Sequence, residues 1–409
     1  MPESKSANGF IALEDRYGAH NYHPLPVVLS RGEGAHLFSP DGKKYLDFLS
    51  AYSAVNQGHC HPKIIAALVE QATKLTLTSR AFYNDCLGPY EKFVTELFGY
   101  QRVLPMNTGV EGGETAVKIC RKWGYQKKKI PTNQARIIFA EGNFWGRTVS
   151  AISTSSDPAS RDEFGPYTPG FDLIPYNDLA AAAQVLKDPN VAGIMLEPIQ
   201  GEAGVVVPDD GYLQGIRKLC TQHNVLMIAD EVQTGIGRTG KMLACDHEGV
   251  RPDIVILGKA LSGGVLPVSA VLADDAVMMC IKPGEHGSTF GGNPLACKVA
   301  MAALQVIKDE NLCQRAEQSG QRFRGELAET IGRYSWVQNI RGKGLLNAVV
   351  VDPAHKSSAL DICHRMLAAG LLAKPTHDHI IRFAPPLVIN DSELDRGLGI
   401  IAKVVASVN

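Results

Sequence analysis

An α/β fold built on a mostly parallel sheet is what this chain predicts, on three observations. From about residue 103 to 273, short strand-like apolar runs alternate with stretches of helical periodicity, the pattern of a parallel sheet with helices on its faces. Runs such as Ile254-Val255-Ile256-Leu257 carry no polar residue, as fully buried strands do. Beyond Pro294 the texture changes to long amphipathic helices with a few strands among them, the mark of a smaller α+β domain.

The first 50 or so residues are rich in Gly, Pro and Tyr, with strand-like pieces at 35–38 and 44–48, and are expected to wrap another domain or subunit. Sheet strands are expected at 136–140, 192–196, 225–229, 254–257 and 268–272, with apolar Val103-Leu104 leading into a helix that contains Ala116, Val117, Ile119 and Cys120. Tyr212, Leu213, Ile216, Leu219 and Cys220 recur at helical spacing while Arg217, Lys218 and Gln222 fill the other face, which makes 211–224 an amphipathic helix. Helices follow at 295–308 and 313–332, then a strand at 345–351, a helix at 357–369, a strand at 380–383 and a last helix at 391–406. The expected units are an N-terminal segment, 1–52, a large domain, 53–310, and a small C-terminal domain, 311–409.

With 42 acidic and 41 basic residues among 409, the net charge is −1. No global field draws such a chain to nucleic acid or an anionic membrane, so small molecules and other subunits are the expected partners. The run Lys127-Lys128-Lys129 reads as a solvated loop before Pro131. Nine scattered cysteines, an odd number with no CxxC pair, point to reduced thiols in a reducing compartment. Met1-Pro2-Glu3-Ser4-Lys5 has neither an apolar signal core nor an arginine-rich amphipathic stretch, and no run approaches membrane-spanning length. A cytoplasmic location is the expectation, with the mitochondrial matrix the alternative for a chain whose leader has been removed.

Two segments carry the chemistry. The apolar stretch from Leu226 ends on Asp230-Glu231-Val232-Gln233, and Ile254–Leu257 runs into Gly258-Lys259-Ala260. Taken singly, such an Asp caps a turn and such a Lys is a solvated loop charge. Together, at the ends of buried strands, they stand where open α/β sheets bind ligands, and a lysine there is costly to bury without a task. One cofactor needs both: pyridoxal phosphate (PLP), whose aldehyde takes a lysine amine as a Schiff base and whose ring nitrogen needs an acid to stay protonated.

Other motifs sort by context. Gly235-Ile236-Gly237-Arg238-Thr239-Gly240 fits GxGxxG, and with Lys241 all but the last position of a P-loop, yet Met242 cannot ligate Mg²⁺ and no apolar helix opens at Gly240. It reads as a flexible glycine turn. Asn107-Thr108-Gly109-Val110-Glu111 opens a helix after an apolar run, so its free amides suit a phosphate; Gly287-Ser288-Thr289-Phe290-Gly291-Gly292 offers donors of the same kind. Gly58-His59-Cys60-His61-Pro62 has no second cluster at zinc spacing, and is read as a capping turn rather than a metal site.

The motifs Asn21-Tyr22-His23-Pro24-Leu25-Pro26, Ser53-Ala54-Val55-Asn56-Gln57-Gly58-His59, Gly142-Asn143-Phe144-Trp145-Gly146-Arg147, Glu197-Pro198-Ile199-Gln200-Gly201-Glu202 and Ile381-Arg382-Phe383-Ala384-Pro385-Pro386 are together far more selective than Asp230 and Lys259 alone. On them, from about residue 17 to the C-terminus, the chain resembles the ω-aminotransferase branch of the fold-type I PLP enzymes, and within it the members that use ornithine. The resemblance implies a large domain on a seven-stranded, mostly parallel sheet, and a homodimer with shared active sites. It implies that Lys259 binds the cofactor and shuttles a proton, and that Asp230 holds the ring nitrogen. Phe144 would stack on the ring with Trp145 also in contact, Val232 would pack beneath it, and Gln233 would touch its hydroxyl. Thr108, Gly109 and Val110 would hold the phosphate, with Ser288 and Thr289 reaching in from the neighbouring subunit.

For substrates the resemblance implies that Tyr22 and Arg147 grip the α-carboxylate of ornithine while Glu202 masks Arg382. With 2-oxoglutarate, Glu202 would swing away, Arg382 would bind the α-carboxylate in a bidentate fork, and Arg147 would take the far carboxylate. Tyr52 would help exclude presentation of the α-amine. Gly113 departs from the alanine common in relatives, which is expected to loosen the helix start. Acetylornithine or 4-aminobutyrate is the alternative donor. A catalytically silent binding protein of the same fold, or a dehydrogenase built on the GxGxxG run, are the readings of another class, and retention of both Lys259 and Asp230 counts against them.

Overall fold

The structure, a computed structural model, describes residues 7–408; the stretch Met1 to Lys5 lies outside the described residues. The central sheet has seven strands in the order Arg102–Met106, Ser269–Ala273, Ile254–Leu257, Leu226–Asp230, Val191–Leu196, Arg136–Ala140 and Phe171–Ile174. Only Ser269–Ala273 runs antiparallel to its neighbours, so the other six point one way. The alternation of strand side chains splits the core into two layers. Ile137, Phe139, Ile228 and Ile256 pack against Ala116, Ile119, Cys120 and Trp123 of the Gly109–Gln126 helix. Ile138, Met227 and Ala229 face the other way, onto Leu213, Ile216 and Cys220 of the Tyr212–His223 helix. Burial on both faces is why these strands have no polar alternation.

A second sheet of four antiparallel strands, Val337–Lys343, Leu346–Val351, Ile380–Phe383 and Lys374–Thr376, is flanked by the Leu312–Thr330, Ala359–Ala368 and Asp391–Val408 helices. The N-terminal strands, Arg31–Glu33, His36–Phe38 and Lys44–Asp47, form a third sheet whose fourth strand is Leu371–Leu372, paired in parallel with Lys44–Asp47. The segment expected to wrap another domain is thus stitched to the C-terminal part of its own chain. No helix of the described residues is long and apolar enough to cross a membrane.

Two loops differ from their sequence expectation. Gly235 to Gly240 is buried throughout rather than flexible, because Arg238, 0% exposed, holds it. Its Nε and Nη2 donate to Asn56 Oδ1 at 3.1 and 2.6 Å, and its Nη1 donates to the carbonyls of Leu345 and Pro385 at 2.9 and 2.7 Å. One side chain therefore ties the large sheet's loop to both ends of the chain. Burial pushes its guanidinium down to about 9, opposed by the Asp47 carboxylate. Lys128 is likewise not a solvated charge: its Nζ donates to the carbonyls of Val191 and His223, 2.7 and 3.1 Å away, the latter at the end of the Tyr212–His223 helix.

Arg238→Ala should lower the unfolding free energy by about 3 kcal/mol or more, since it leaves buried acceptors on three segments unsatisfied at roughly 1–3 kcal/mol each. Arg238→Lys should recover only part of this, because an ammonium cannot span the three acceptors. Denaturant unfolding of both variants measures it.

Candidate active site

Five segments leave the C-terminal ends of the parallel strands and enclose a cavity of about 240 Å³. Gly109 and Val110 follow Arg102–Met106, Phe144 and Trp145 follow Arg136–Ala140, and Glu197 follows Val191–Leu196. Asp230 and Val232 come from the end of Leu226–Asp230, and Lys259 stands two residues beyond Ile254–Leu257. Convergence there is a consequence of topology, since parallel strands deliver all their following loops to one edge.

Lys259 has φ of +44°, a left-handed backbone that non-glycine residues rarely adopt. Its amine has no hydrogen-bond or ion-pair partner among the described residues. Burial pushes its pKa below the usual lysine value, while Glu202 and Asp230 pull the other way. Burial also raises Asp230 to about 6, opposed by the amide of Val232, 3.0 Å from Oδ1, and by Lys259. Glu197 is raised further, to about 8, by burial and by the nearby Asp230 charge. Its two oxygens accept from the amides of Phe144 and Gly201, both at 3.0 Å, so it joins the loop that carries the aromatic ring to the loop that carries Glu202. Sequence reasoning gave Glu197 no role, although it closes a buried strand just as Asp230 does.

The floor depends on two glycines. A Cβ at Gly109 would stand 3.0 Å from Val232, and one at Gly258 would stand 3.2 Å from it. The helix from Gly109 begins with a capping box: Thr108 Oγ1 accepts from Glu111 N at 3.3 Å, and Glu111 Oε2 accepts from Thr108 N at 2.7 Å. Thr108's own amide is thereby taken, and the first-turn amides of Gly109 and Val110 are left for an anion. Gly113 does not loosen this start. Its lack of a Cβ admits Trp145, whose ring would lie 2.5 Å from that atom. Trp145 lines the cavity but is otherwise a core residue, stacked on Phe139 at 5.7 Å with Nε1 donating to Thr154 Oγ1 at 2.7 Å. Ser288 does not reach the cavity of its own chain; its Oγ accepts from Asn107 Nδ2 at 2.8 Å, and Thr289 beside it is exposed.

Above the cavity sits a polar cluster. Arg382, 1% exposed, donates from Nη1 to Glu202 Oε1 at 2.8 Å and from Nη2 to Gln233 Oε1 at 2.7 Å. Gln233 Nε2 donates to the same Glu202 oxygen at 2.9 Å, which closes a three-membered network. Gln233, expected on the cofactor hydroxyl, here bonds to both members of the ion pair and also lines the cavity. Glu202 is shifted downward: burial works against its charge and Arg382 overcomes it. The Arg382 guanidinium lies 5.4 Å from the Tyr52 ring centroid. Arg147 is exposed, 5.4 Å from the Phe144 ring and hydrogen-bonded to Ser160 Oγ at 3.1 Å. Tyr22 is 65% exposed, near enough to Tyr52 to contribute to raising the latter's pKa, after burial and Glu202.

Residues 17–405 match the family model of aminotransferase class-III. The chain belongs to the class-III aminotransferases. It is 63% identical over 397 residues to the mitochondrial ornithine aminotransferase of Drosophila melanogaster, covering 97% of this chain and 91% of that one. The ornithine aminotransferase structure from Toxoplasma gondii, which has PLP at partial occupancy in its active site, superimposes with a TM-score of 0.98 at 51% identity, covering 99% of this chain and 95% of that one. The acetylornithine aminotransferase structure from Elizabethkingia anophelis gives 0.90 at 56% identity, over 98% and 99% of the two chains.

Class-III aminotransferases are PLP enzymes of fold type I, and the residues here fit that cofactor. A half-buried amine without a partner among the described residues and a buried carboxylate line one cavity, the floor is cut back by two glycines, and a helix start offers free amides. Lys259, Asp230, Phe144 and Val232 would hold the ring and aldehyde, and Gly109 and Val110 the phosphate.

The pKa of Glu197 gives a stability prediction for the cofactor-free protein. Its carboxyl is raised from the ordinary 4.5 to about 8. The folded state therefore holds this proton more tightly than the unfolded chain, and the stability so gained is full below about pH 4.5 and lost as pH rises through about 8. Between pH 5 and 8 the melting temperature of the cofactor-free protein should fall by several degrees, and Glu197→Gln should flatten that slope.

Proposed function

We propose that this protein transfers the δ-amino group of L-ornithine to 2-oxoglutarate, giving L-glutamate and glutamate 5-semialdehyde, which cyclises to pyrroline-5-carboxylate. The observation that carries the reading is Arg382, buried yet neutralised by Glu202 at 2.8 Å and braced by Gln233 at 2.7 Å. An enzyme with one pocket for a diamino acid and a dicarboxylate needs an arginine that is hidden in one half of the cycle and available in the other. An ion pair with a movable carboxylate provides that.

In the first half, Tyr22 and Arg147 take the α-carboxylate of ornithine and extend the δ-amine toward Lys259. Glu202 stays on Arg382, so no second carboxylate site competes. PLP, when bound, would supply the aldehyde that receives the amine and the conjugated ring that draws electrons from the reacting carbon. Asp230 holds the proton on the ring nitrogen, an opposite charge of a kind that shifts a pKa by about one to three units. Lys259 Nζ, its pKa lowered by burial, takes the proton from the ornithine δ-carbon. In the second half Glu202 turns away, Arg382 binds the α-carboxylate of 2-oxoglutarate in a bidentate fork, and Arg147 takes the distal one.

Our reading of the assembly is a homodimer in which Ser288 and Thr289 complete the partner's phosphate site. Supporting it, Thr289 and Phe290 are exposed on a loop anchored to Asn107, and Phe82 and Tyr83 are large exposed side chains. Nine free thiols suit a reducing compartment, for which we take the cytoplasm or, as in relatives named mitochondrial, the matrix. Against the acetylornithine reading we set Tyr22, a polar side chain suited to the free, charged α-amino acid end of ornithine, whose α-ammonium acetylation would remove.

Visible absorbance tests the reaction. The PLP-loaded protein should bleach on addition of ornithine and recover with 2-oxoglutarate, and Lys259→Ala should not complete the cycle; a spectrum unmoved by ornithine refutes the proposal. Tyr22→Ile should lower kcat/KM for ornithine about tenfold, roughly 1.4 kcal/mol, and improve amines that lack the α-amino group. Unchanged preference in steady-state kinetics would remove Tyr22 from the substrate site.

A further inference from the structure

Residues 50–53 form one turn of left-handed helix. Ser50, Ala51, Tyr52 and Ser53 have φ of 49°, 45°, 60° and 72°. None is glycine, and L side chains avoid this region singly, let alone four in succession. The local sequence does not favour the turn, and its serines do not hold it, since the buried hydroxyls of Ser50 and Ser53 have no hydrogen-bond partner among the described residues. Something outside must impose it.

Asp47 does. It is 3% exposed, at the end of the Lys44–Asp47 strand. Its Oδ1 accepts from the amides of Leu49 and Ser50 at 2.8 and 2.9 Å, the two that lead into the turn, and Oδ2 accepts from His59 Nε2 at 2.7 Å. His59 is fixed in turn by a two-way backbone bridge with Gly34, at 2.8 and 3.1 Å, and lies so close to Gly32 that a Cβ there would stand 2.8 Å from its own. Past the turn, Asn56 Nδ2 donates to Ile236 O at 2.9 Å and Gln57 Nε2 to Ala260 O at 3.0 Å. The turn is clamped at both ends, and it delivers one side chain to the site: Tyr52, 5.4 Å from the Arg382 guanidinium.

The geometry assigns Asp47, braced by His59, a positioning role in choosing which amine reacts: it fixes the left-handed turn that aims Tyr52 over Arg382. This rests on the ornithine reaction proposed above. With the tyrosine in place, the carboxylate of ornithine is kept off Arg382 and the δ-amine is presented. With the ring displaced, that carboxylate can pair with Arg382 as the α-carboxylate of 2-oxoglutarate does, which presents the α-amine instead. Either amino group passes to 2-oxoglutarate as glutamate. Loss of the δ-amine leaves an aldehyde that condenses with the α-amine, releasing water, to pyrroline-5-carboxylate. Loss of the α-amine leaves a 2-oxo acid that closes on the δ-amine, releasing water, to pyrroline-2-carboxylate.

The ratio of these two pyrrolines, measured by NMR with PLP-loaded enzyme, ornithine and 2-oxoglutarate, is the test. Asp47→Ala removes both acceptor oxygens, and with them the hold on the Leu49 and Ser50 amides and on His59. It should raise the pyrroline-2-carboxylate share at least tenfold and raise KM for ornithine more than it lowers kcat. A misfolded fraction lowers the rate and leaves the ratio alone, so loss of stability cannot imitate this. Ala51→Gly approaches the same turn from the other side: glycine adopts φ of 45° without strain, so the melting temperature should rise while the ratio shifts in the same direction. If wild type makes pyrroline-5-carboxylate and both variants keep its product ratio, the positioning role falls and the ornithine reaction stands. If wild type makes neither pyrroline, the ornithine reaction itself is refuted, and this inference with it.

Discussion

An amine that lines a cavity, half-buried, without a partner among the described residues and surrounded by carboxyl groups, is the constraint around which this protein is arranged. Lys259 would lose its proton readily in a dry cavity, and Asp230, Glu197 and Glu202 would gain theirs, because burial penalises every charged form. The neighbours oppose that drift: Asp230 and Glu202 favour the ammonium, and Lys259 favours their carboxylates. Such a cluster is held open only by a scaffold that does not relax. The parallel sheet supplies it, by ending five strands on one edge, four of them buried between apolar layers on both faces. Stability elsewhere in the fold is what permits this strained edge to persist.

The same reasoning separates two kinds of buried arginine. Arg238 and Arg382 are both essentially inaccessible, yet one meets a side-chain amide oxygen and two carbonyls and the other meets a carboxylate and an amide. Neutral acceptors fix a guanidinium without offering a counter-charge that can leave, so Arg238 serves as a permanent tie among three segments. Arg382 has a counter-charge on a loop, and Glu202 is partly accessible, with 28% of its side chain exposed. A buried ion pair adds little net stability once desolvation is counted, so exchanging Glu202 for a substrate carboxylate costs little. Arg382 Nε, buried with no partner among the described residues, is a further donor on that guanidinium.

Much of this was legible in the sequence because it is local. Runs such as Arg136–Ala140 and Ile254–Leu257 declare buried strands by having no polar alternation, and Tyr212–His223 declares its face by spacing. Asp230 and Lys259 were readable because each closes such a run. Glu197 closes one too, after Leu196, and the same signal would have found it. The Val337–Lys343 strand was not readable: it holds an outer place in its sheet and most of it is partly exposed, so the only cue, alternation, is blurred by Gln338-Asn339 and Arg341-Gly342. Arg238 and Lys128 failed for another reason. Their acceptors are carbonyls brought near by folding, and a carbonyl leaves no trace in residue type. A basic side chain in a glycine loop looks the same whether water or Leu345 and Pro385 receive it.

Backbone conformation links these threads. Left-handed, non-glycine residues occur at Lys259 and through Ser50 to Ser53, one position that carries the reacting amine and one turn that carries the ring over Arg382. At roughly 1–2 kcal/mol per residue, the turn alone opposes folding by several kcal/mol, comparable with the whole stability of an ordinary domain. A relaxed loop would bring a tyrosine to the same neighbourhood, but with freedom to rotate away. Strain imposed from a buried carboxylate narrows that freedom, because the two amides held by Asp47 are released only by breaking charge-assisted hydrogen bonds. The chain thus places flexibility in Glu202, which has to move between half-reactions, and rigidity in the turn that carries Tyr52.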